Sequence, residues 1–252
     1  MRTKWGQTLF LLIGLAALAG AQLQAQAVTE VRGHAQTDLA ASLFGAFTGN
    51  SGSKFMSPEA IIGNEQSPSN AAGGLLELRH IARPWLGYEG TYSINRANES
   101  YFSGSGTVNC GVCESITTWT PVSANVHEVT GAWVASMKVR NLRPFALAGG
   151  GVLIDVPASG QATATGYISG CGGGIPTCIV GAPFTGTAST TTSTKPVFVY
   201  GAGLDWGLLP HLGLRLQYRG NLYNAPDLVS GFTSTNSLTH TAEPMIGIYF
   251  RL

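Results

Sequence analysis

The chain has 252 residues, of which 34 are glycine and only 11% are charged, whereas about 7% glycine and about 25% charged residues are usual in globular domains. Its hydrophobic content of 44% is too high for intrinsic disorder, and its formal net charge of +1 provides no basic surface for nucleic acid. We therefore expect no nucleic-acid partner. A β-solenoid, a secreted β-sandwich and a transmembrane β-barrel remain as candidate classes.

The first 27 residues have the pattern of a secretory signal peptide. Arg2 and Lys4 precede the apolar run 9–18, and Ala25-Gln26-Ala27 is an A-x-A cleavage sequence. The apolar run is about half of the ~20 residues that a transmembrane helix needs, which disfavours an uncleaved anchor. We expect export through the Sec pathway, cleavage after Ala27, and a short periplasmic segment over 28–37 before a folded domain of residues 38–252.

Apolar and polar residues alternate from about residue 39 onward, as in half-buried strands. For example, Tyr88, Tyr92 and Ile94 fall on one face of a strand while Glu89 and Thr91 fall on the other. Each such run is long enough to cross a bilayer as a tilted strand of about 9 to 11 residues. Eight runs are predicted, at roughly 39–49, 73–82, 85–97, 124–137, 143–156, 195–208, 211–224 and 238–252.

The connections between these runs alternate in length. Three are short, at 82–84, 138–143 and 209–211, and four are long and rich in Gly, Ser, Thr and Asn, at 50–72, 98–123, 157–194 and 225–237. Short periplasmic turns opposite long extracellular loops are typical of outer-membrane barrels. We therefore predict an all-β fold, an eight-stranded antiparallel up-and-down transmembrane β-barrel. A soluble lipocalin-like barrel is the alternative, and the alternating connection lengths disfavour it.

Turn-proline-aromatic sequences lead repeatedly into glycine-rich alternating strands. They occur at Arg83–Tyr92 and at Arg143–Leu153, and similar glycine-rich alternating strands without the proline occur at Gly201–Gly207 with Leu212–Arg219 and at Met245–Leu252. Through them the chain resembles, over about residues 38–252, the small eight-stranded OmpA- and OmpX-like outer-membrane proteins of Gram-negative bacteria. The resemblance implies a monomer surrounded by outer-membrane lipids and inserted by the barrel-assembly machinery. It implies no particular activity.

The interior of an eight-stranded barrel is just wide enough to be filled by side chains. Eight charged residues lie opposite the apolar faces of the predicted strands, where each is costly to bury without a partner. They are Glu77, Arg79, Glu89, Glu128, Asp205, Arg215, Arg219 and Glu243. We predict that they pair as a salt-bridge network inside the lumen, and the alternative is an ion gate in a narrow channel.

Aromatic residues are expected on the outer face, in a belt at each membrane interface. The candidates are Trp85, Trp133, Phe145, Trp206, Tyr218 and Phe250.

Four cysteines lie in two of the long loops: Cys110, Cys113, Cys171 and Cys178. An even number of cysteines in an exported protein indicates disulfides. We favour the local pairs 110–113 and 171–178 over pairing between the loops. A metal site is the least favoured interpretation, because the second pair of cysteines does not have C-x-x-C spacing.

We predict no catalytic, cofactor or metal site. His127 and Glu128 are adjacent, and His240 lies three residues from Glu243, so each pair points to opposite faces of its strand. No glycine-rich phosphate loop opens a helix.

We therefore expect a role in the structure of the cell envelope or in contacts at the cell surface, such as adhesion. In the second case the long loops contact an extracellular ligand or surface. A narrow gated channel and a lipid-modifying enzyme are the alternatives. The uncharged segment 156–194 is interpreted as a flexible solvated loop.

Overall fold

The computed structural model describes residues 35–56, 61–106, 113–171, 179–232 and 235–252. Beside the gaps, at 53–56, 61–62, 106, 113–115, 171 and 179–180, the backbone alone is described. The predicted signal peptide 1–27 and the segment 28–34 lie outside the described residues. Within the described ranges, no helix is long and apolar enough to cross a membrane.

The described part of the chain contains twelve strands. They are β1 (Gln36–Thr48), β2 (Ser51–Met56), β3 (Ile61–Pro68), β4 (Ala71–Arg83), β5 (Leu86–Gly106), β6 (Cys113–Ser136), β7 (Leu142–Pro157), β8 (Gln161–Cys171), β9 (Ile179–Ser189), β10 (Ser193–Gly207), β11 (Leu212–Asn224) and β12 (Leu238–Arg251).

Eight of these strands close into a barrel. They pair in the order β1, β4, β5, β6, β7, β10, β11 and β12, and β12 returns to β1 with Leu39 opposite Phe250. Every pair is antiparallel, so the predicted eight-stranded up-and-down barrel is confirmed. The strand bounds agree with the predicted runs within three residues, except that β5 and β6 are much longer.

The four remaining strands lie where the sequence predicted loops. Beyond the barrel β5 and β6 continue to pair as far as Gly106 opposite Ser115. The β2–β3 hairpin adds to β5, and the β8–β9 hairpin adds to β6, which gives a six-stranded sheet of order β2-β3-β5-β6-β8-β9. We call it the extracellular sheet, after the side on which the sequence predicts the long connections to lie. The interpretation of 156–194 as a flexible loop was therefore wrong, because the long edge of β6 supplies a pairing partner for β8.

The outer face of the barrel is apolar and its inner face is polar. Leu43 has 70% of its surface exposed, while the arginines of the lumen are buried. Apolar side chains exposed on the outside are Leu39, Leu43, Leu76, Leu78, Val129, Val152, Leu216, Ile246 and Ile248. This is the arrangement of a transmembrane β-barrel, whereas a soluble barrel puts its apolar set inside.

Glycine at inward positions lets neighbouring strands approach closely. A Cβ on Gly247 would lie 2.5 Å from the carbonyl oxygen of Ala41, and one on Gly151 would overlap the carbonyl oxygen of Val129. Part of the high glycine content therefore comes from the tight curvature of a small barrel.

Candidate functional site

Two arginines and three carboxylates fill the lumen near the short turns. Arg79 faces Glu89 across β4 and β5, and Arg215 faces Asp205 across β10 and β11, because each pair occupies directly opposed inward positions. Arg79 Nη2 lies 2.7 Å from Glu89 Oε2, and Arg215 Nε donates to Asp205 Oδ1 at 2.6 Å. Glu77 joins the two halves, since both arginines bond its Oε1. We call this group the lower cluster.

An apolar wall lies against the lower cluster. The ring of Phe145 is only 5% exposed, and the guanidinium carbon of Arg79 lies 3.9 Å from its centroid. The prediction that Phe145 belongs to the outer belt was therefore wrong, because β7 turns Phe145 and Leu147 into the lumen. The wall comprises Ala132, Val134, Phe145, Leu147, Leu153, Val197 and Val199.

A second group, the upper cluster, surrounds Arg219 on the side of the extracellular sheet. Arg219 Nη2 donates to Glu128 Oε1 and, at 2.8 Å, to Thr130 Oγ1. Asn221 Nδ2 donates to the other oxygen of Glu128 at 2.9 Å. Glu243 occupies the β12 position opposite Arg219. The structure thus brings all eight predicted charged residues into the lumen, buried and in two clusters.

A small cavity lies above the upper cluster. It has a volume of about 40 Å³, and its wall includes Glu99, Asp155 and Glu243. A space of this size holds a few water molecules at most. Among the described residues, the two clusters fill the barrel below this cavity with buried side chains.

The β11–β12 loop closes the extracellular end of the barrel. We call its residues 225–232 the lid. Leu228 is fully buried and packs in one apolar cluster with Tyr101 and Val122. Lys195 Nζ lies 2.7 Å from Asp227 Oδ2. This ion pair joins the lid to the first residues of β10.

Hydrogen bonds fix the lid from several strands. Gln66 Nε2 donates to the Pro226 carbonyl oxygen at 2.6 Å, and the Leu228 amide donates to the Tyr101 hydroxyl at 3.1 Å. The same hydroxyl lies 2.7 Å from Glu99 Oε2. Burial raises the pKa of Glu99 to about 7, the bond from Tyr101 opposes this shift, and the nearby charge of Asp227 adds to it. Sequence reasoning missed the lid, although two apolar residues in a polar loop, Leu228 and Val229, were a signal of it.

Aromatic side chains project outward at both ends of the membrane-facing surface. Trp85, Trp133, Trp206 and Phe250 lie near the short turns, and Tyr218 is exposed further along β11. On the opposite side, the Tyr92 hydroxyl lies 2.9 Å from His127 Nδ1.

The histidines lie apart from the lumen acids. His127 pairs with Tyr92 on the outer face, while its neighbour Glu128 is buried in the lumen. His240 Nε2 likewise lies 2.9 Å from the Tyr200 hydroxyl, and Glu243 faces inward.

Across the described ranges, no group of three or more His, Cys, Asp or Glu residues is arranged to hold a metal ion.

The strand register bears on the cysteines. Cys110 and Cys178 lie outside the described residues, and the backbones of Cys113 and Cys171 are directly opposed across β6 and β8. Directly opposed residues have Cα atoms about 4.5 to 5.5 Å apart, within the range that a disulfide spans. The register therefore brings the backbones of Cys113 and Cys171, one cysteine from each loop, within the distance that a disulfide spans.

An aromatic row crosses the extracellular sheet from the buried Phe102 to the exposed Tyr167. The ring centroids of Phe102 and Trp119 are 5.2 Å apart, and those of Trp119 and Tyr167 are 6.1 Å apart. Tyr167 is 52% exposed. Tyr and Trp in such positions are the residue types that dominate protein contact surfaces.

Solved structures with a similar fold come from several Gram-negative bacteria. The attachment invasion locus protein Ail of Yersinia pestis is 14% identical over 87% of this chain and 99% of its own, with a TM-score of 0.39. OprG of Pseudomonas aeruginosa is 12% identical over 88% and 99%, with a TM-score of 0.43. The protease OmpT of Escherichia coli is 7% identical over 90% and 99%, with a TM-score of 0.33.

No family model and no curated protein matches the chain. At these identities and TM-scores the likeness to solved structures carries no argument about activity. The fold rests on the strand pairing described above. The chain is a small eight-stranded β-barrel.

Proposed function

We propose that this chain is an integral protein of the bacterial outer membrane that presents the extracellular sheet to a partner at the cell surface. The observation that carries the proposal is the division of the molecule into a filled barrel and a large ordered sheet beyond it. The apolar outer face and its aromatic side chains suit a lipid environment. Because binding residues are commonly carried by loops held on a rigid scaffold, the sheet, which is built from the long connections of the barrel, is the part of the molecule that suits recognition.

The aromatic row is the part of the sheet best suited to contact. Trp119 and Tyr167 supply large, rigid surfaces at low conformational cost. The uncharged segment 156–194 includes both strands of the β8–β9 hairpin, so a partner that docks there desolvates few charges. These features favour a contact made by apolar and hydroxyl groups and little affected by salt.

We also propose that the protein has no enzymatic activity. The support is the outward position of His127 and His240, away from the buried Glu128 and Glu243. Mass profiles of lipid A from cells with and without the protein test this point. We expect identical profiles, and a product with one acyl chain gained or lost would overturn it.

Adhesion of Escherichia coli cells that display the protein tests the main proposal. Retention is measured on surfaces coated with laminin, with fibronectin or with heparin, and homotypic aggregation is measured in the same cells. We expect retention or aggregation at least fivefold above the empty vector, and a loss of most of it in the double variant Trp119→Ala, Tyr167→Ala. The matched control is Trp133→Ala, which removes an aromatic ring from the other end of the barrel. Wild-type cells that behave as the empty vector in every assay would overturn the proposal.

A further inference from the structure

A cavity opens at the short-turn end of the barrel, on the side away from the extracellular sheet. It has a volume of about 280 Å³ and lies between the β6–β7 turn and the β10–β11 turn. Four basic side chains contribute to its wall: Lys138, Arg140, Arg143 and Arg251. A cavity of this size accommodates a phosphate group with part of the molecule that carries it.

The positive charge of this cavity is poorly balanced. Asp205 is the one carboxylate in the wall, and both of its oxygens already bond Arg215, at 2.6 and 2.9 Å. Asp38 lies just outside the wall and is shared by two arginines at the limit of ion-pair distance, 4.0 Å from Arg143 Nη1 and 3.9 Å from Arg251 Nε.

Two of the four cations lack a carboxylate partner among the described residues, and the Arg251 side chain donates one hydrogen bond, from Nη1 to the Pro210 carbonyl oxygen at 3.4 Å. Neither Lys138 nor Arg140 contacts a carboxylate in the described part of the chain. Arg251 Nε is buried, and its hydrogen has no acceptor there. Four cations set against the carboxylates of Asp38 and Asp205 leave a net charge of +2 around the cavity. Such a site attracts an anion.

The backbone of the β6–β7 turn holds Arg140 in an unusual conformation. Val139 and Leu142 exchange both hydrogen bonds of a two-residue hairpin, at 2.8 and 3.0 Å, so Arg140 is the first of its two central residues. Its φ of +55° is in the left-handed region. In this kind of turn glycine is the favoured first residue, and a side chain there is disfavoured. An arginine in a place that glycine would occupy without strain points to a use for its guanidinium.

The wall of the cavity is fixed in place and is apolar at its rim. The Gly207 amide donates to the Asn141 carbonyl oxygen at 2.8 Å, which ties the two turns together. Leu208 and Leu209 line the same cavity and are exposed, Leu209 by 62%. Trp206, two residues before Leu208, projects outward near the membrane boundary. Cations beside exposed leucines at a membrane boundary match a lipid headgroup above its acyl chains.

We propose that this basic cavity binds a phosphate-bearing anion, with the phosphodiester headgroup of an anionic phospholipid in the periplasmic leaflet as its source. Arginine suits this ligand because its planar guanidinium bonds two phosphate oxygens at once. The source of the phosphate, though not the site itself, rests on the membrane location proposed above.

Binding to the folded protein in dodecyl-maltoside micelles tests the inference. Native mass spectrometry counts bound molecules during titration with short-chain phosphatidylglycerol, with phosphatidylcholine of equal chain length, and with inorganic phosphate. We expect one phosphatidylglycerol per protein, bound at least tenfold more tightly than phosphatidylcholine. The double variant Lys138→Gln, Arg140→Gly is expected to lose at least tenfold in affinity. It is expected to fold because glycine suits the turn. The matched control, Arg96→Gln, removes an exposed cation on the extracellular side and is expected to change the affinity less than twofold.

Other binding results either identify a different source of the phosphate or overturn the inference. One such result is binding of inorganic phosphate in place of a lipid: the wild type then binds phosphate, the double variant does not, and phosphatidylglycerol is not preferred to phosphatidylcholine. That result supports the anion site and identifies its ligand as a soluble phosphate. Equal binding of both lipids with no binding of phosphate overturns the inference. Unchanged affinity in the double variant, or an equal loss in Arg96→Gln, also overturns it. None of these results depends on adhesion through the extracellular sheet, which lies at the opposite end.

Discussion

Replacement of Arg219 by methionine tests the upper cluster most sharply. Arg219 is the cation that bonds Glu128, and it also donates to the hydroxyls of Thr130 and Thr91, at 2.8 and 3.1 Å. Methionine has a similar length and no charge, so the variant keeps most of the volume and leaves the buried carboxylate with Asn221 alone. Removing one partner of a buried ion pair costs about 3–5 kcal/mol, and we expect a loss of stability in that range.

A double variant separates the buried charge from the lost packing. Adding Glu128→Gln to Arg219→Met removes the uncompensated charge, so we expect the double variant to recover at least about 2 kcal/mol relative to Arg219→Met. Urea-induced unfolding and refolding in mixed lipid–detergent micelles, followed by tryptophan fluorescence, measures both free energies. The control Arg96→Met removes an exposed cation and is expected to change stability by about 0.5 kcal/mol or less. The reasoning is refuted if Arg219→Met costs less than about 1 kcal/mol or if the two substitutions are additive.

Three further predictions concern the lid, the lumen and the cysteines. Because burial and Asp227 raise the pKa of Glu99 from 4.5 to about 7, the folded lid favours the protonated acid and loses stability as pH rises from about 4.5 to about 7. We expect hydrogen-exchange protection of the Leu228 amide, corrected for intrinsic rates, to fall over that interval in the wild type but not in Glu99→Gln; a flat wild-type profile contradicts this. In planar bilayers we expect no steady conductance at neutral pH, and porin-like steps would show that the lumen is open. Peptide mapping of the unreduced protein is expected to recover Cys113 linked to Cys171, and local pairs or four free thiols would refute that pairing.

Alternation of side chains made much of the barrel predictable. Arg79 and Glu89 were assigned to the lumen because they alternate with apolar neighbours along their own strands. Their direct pairing was not predictable, because it depends on the register between β4 and β5. Side-chain periodicity reports the face of a strand and does not report the neighbour opposite it.

The misassigned and missed features have physical reasons. Between Arg143 and Asp155 the β7 sequence carries no charged residue, so nothing marked which face Phe145 would take. The β8–β9 hairpin and the lid depend on contacts far along the chain, to β6 and to Tyr101. Local composition, which is rich in Thr, Ser and Gly in the hairpin, does not encode such partners.

The basic cavity illustrates the same limit. Lys138 to Arg143 was read from the sequence as a short turn, and Arg251 lies more than a hundred residues further along the chain. Closure of the barrel brings the β6–β7 turn, the β10–β11 turn and the end of β12 to one edge. The clustered charge is therefore a product of topology.

The measurement that tests the account most directly is the behaviour of the expressed protein on membrane fractionation and on gels run with and without heating. A closed barrel with an apolar outer face is expected in the outer-membrane fraction, to require detergent for extraction, and to migrate faster unheated than heated. A protein that stays in solution without detergent and shows one mobility under both conditions would contradict the transmembrane barrel on which the account depends.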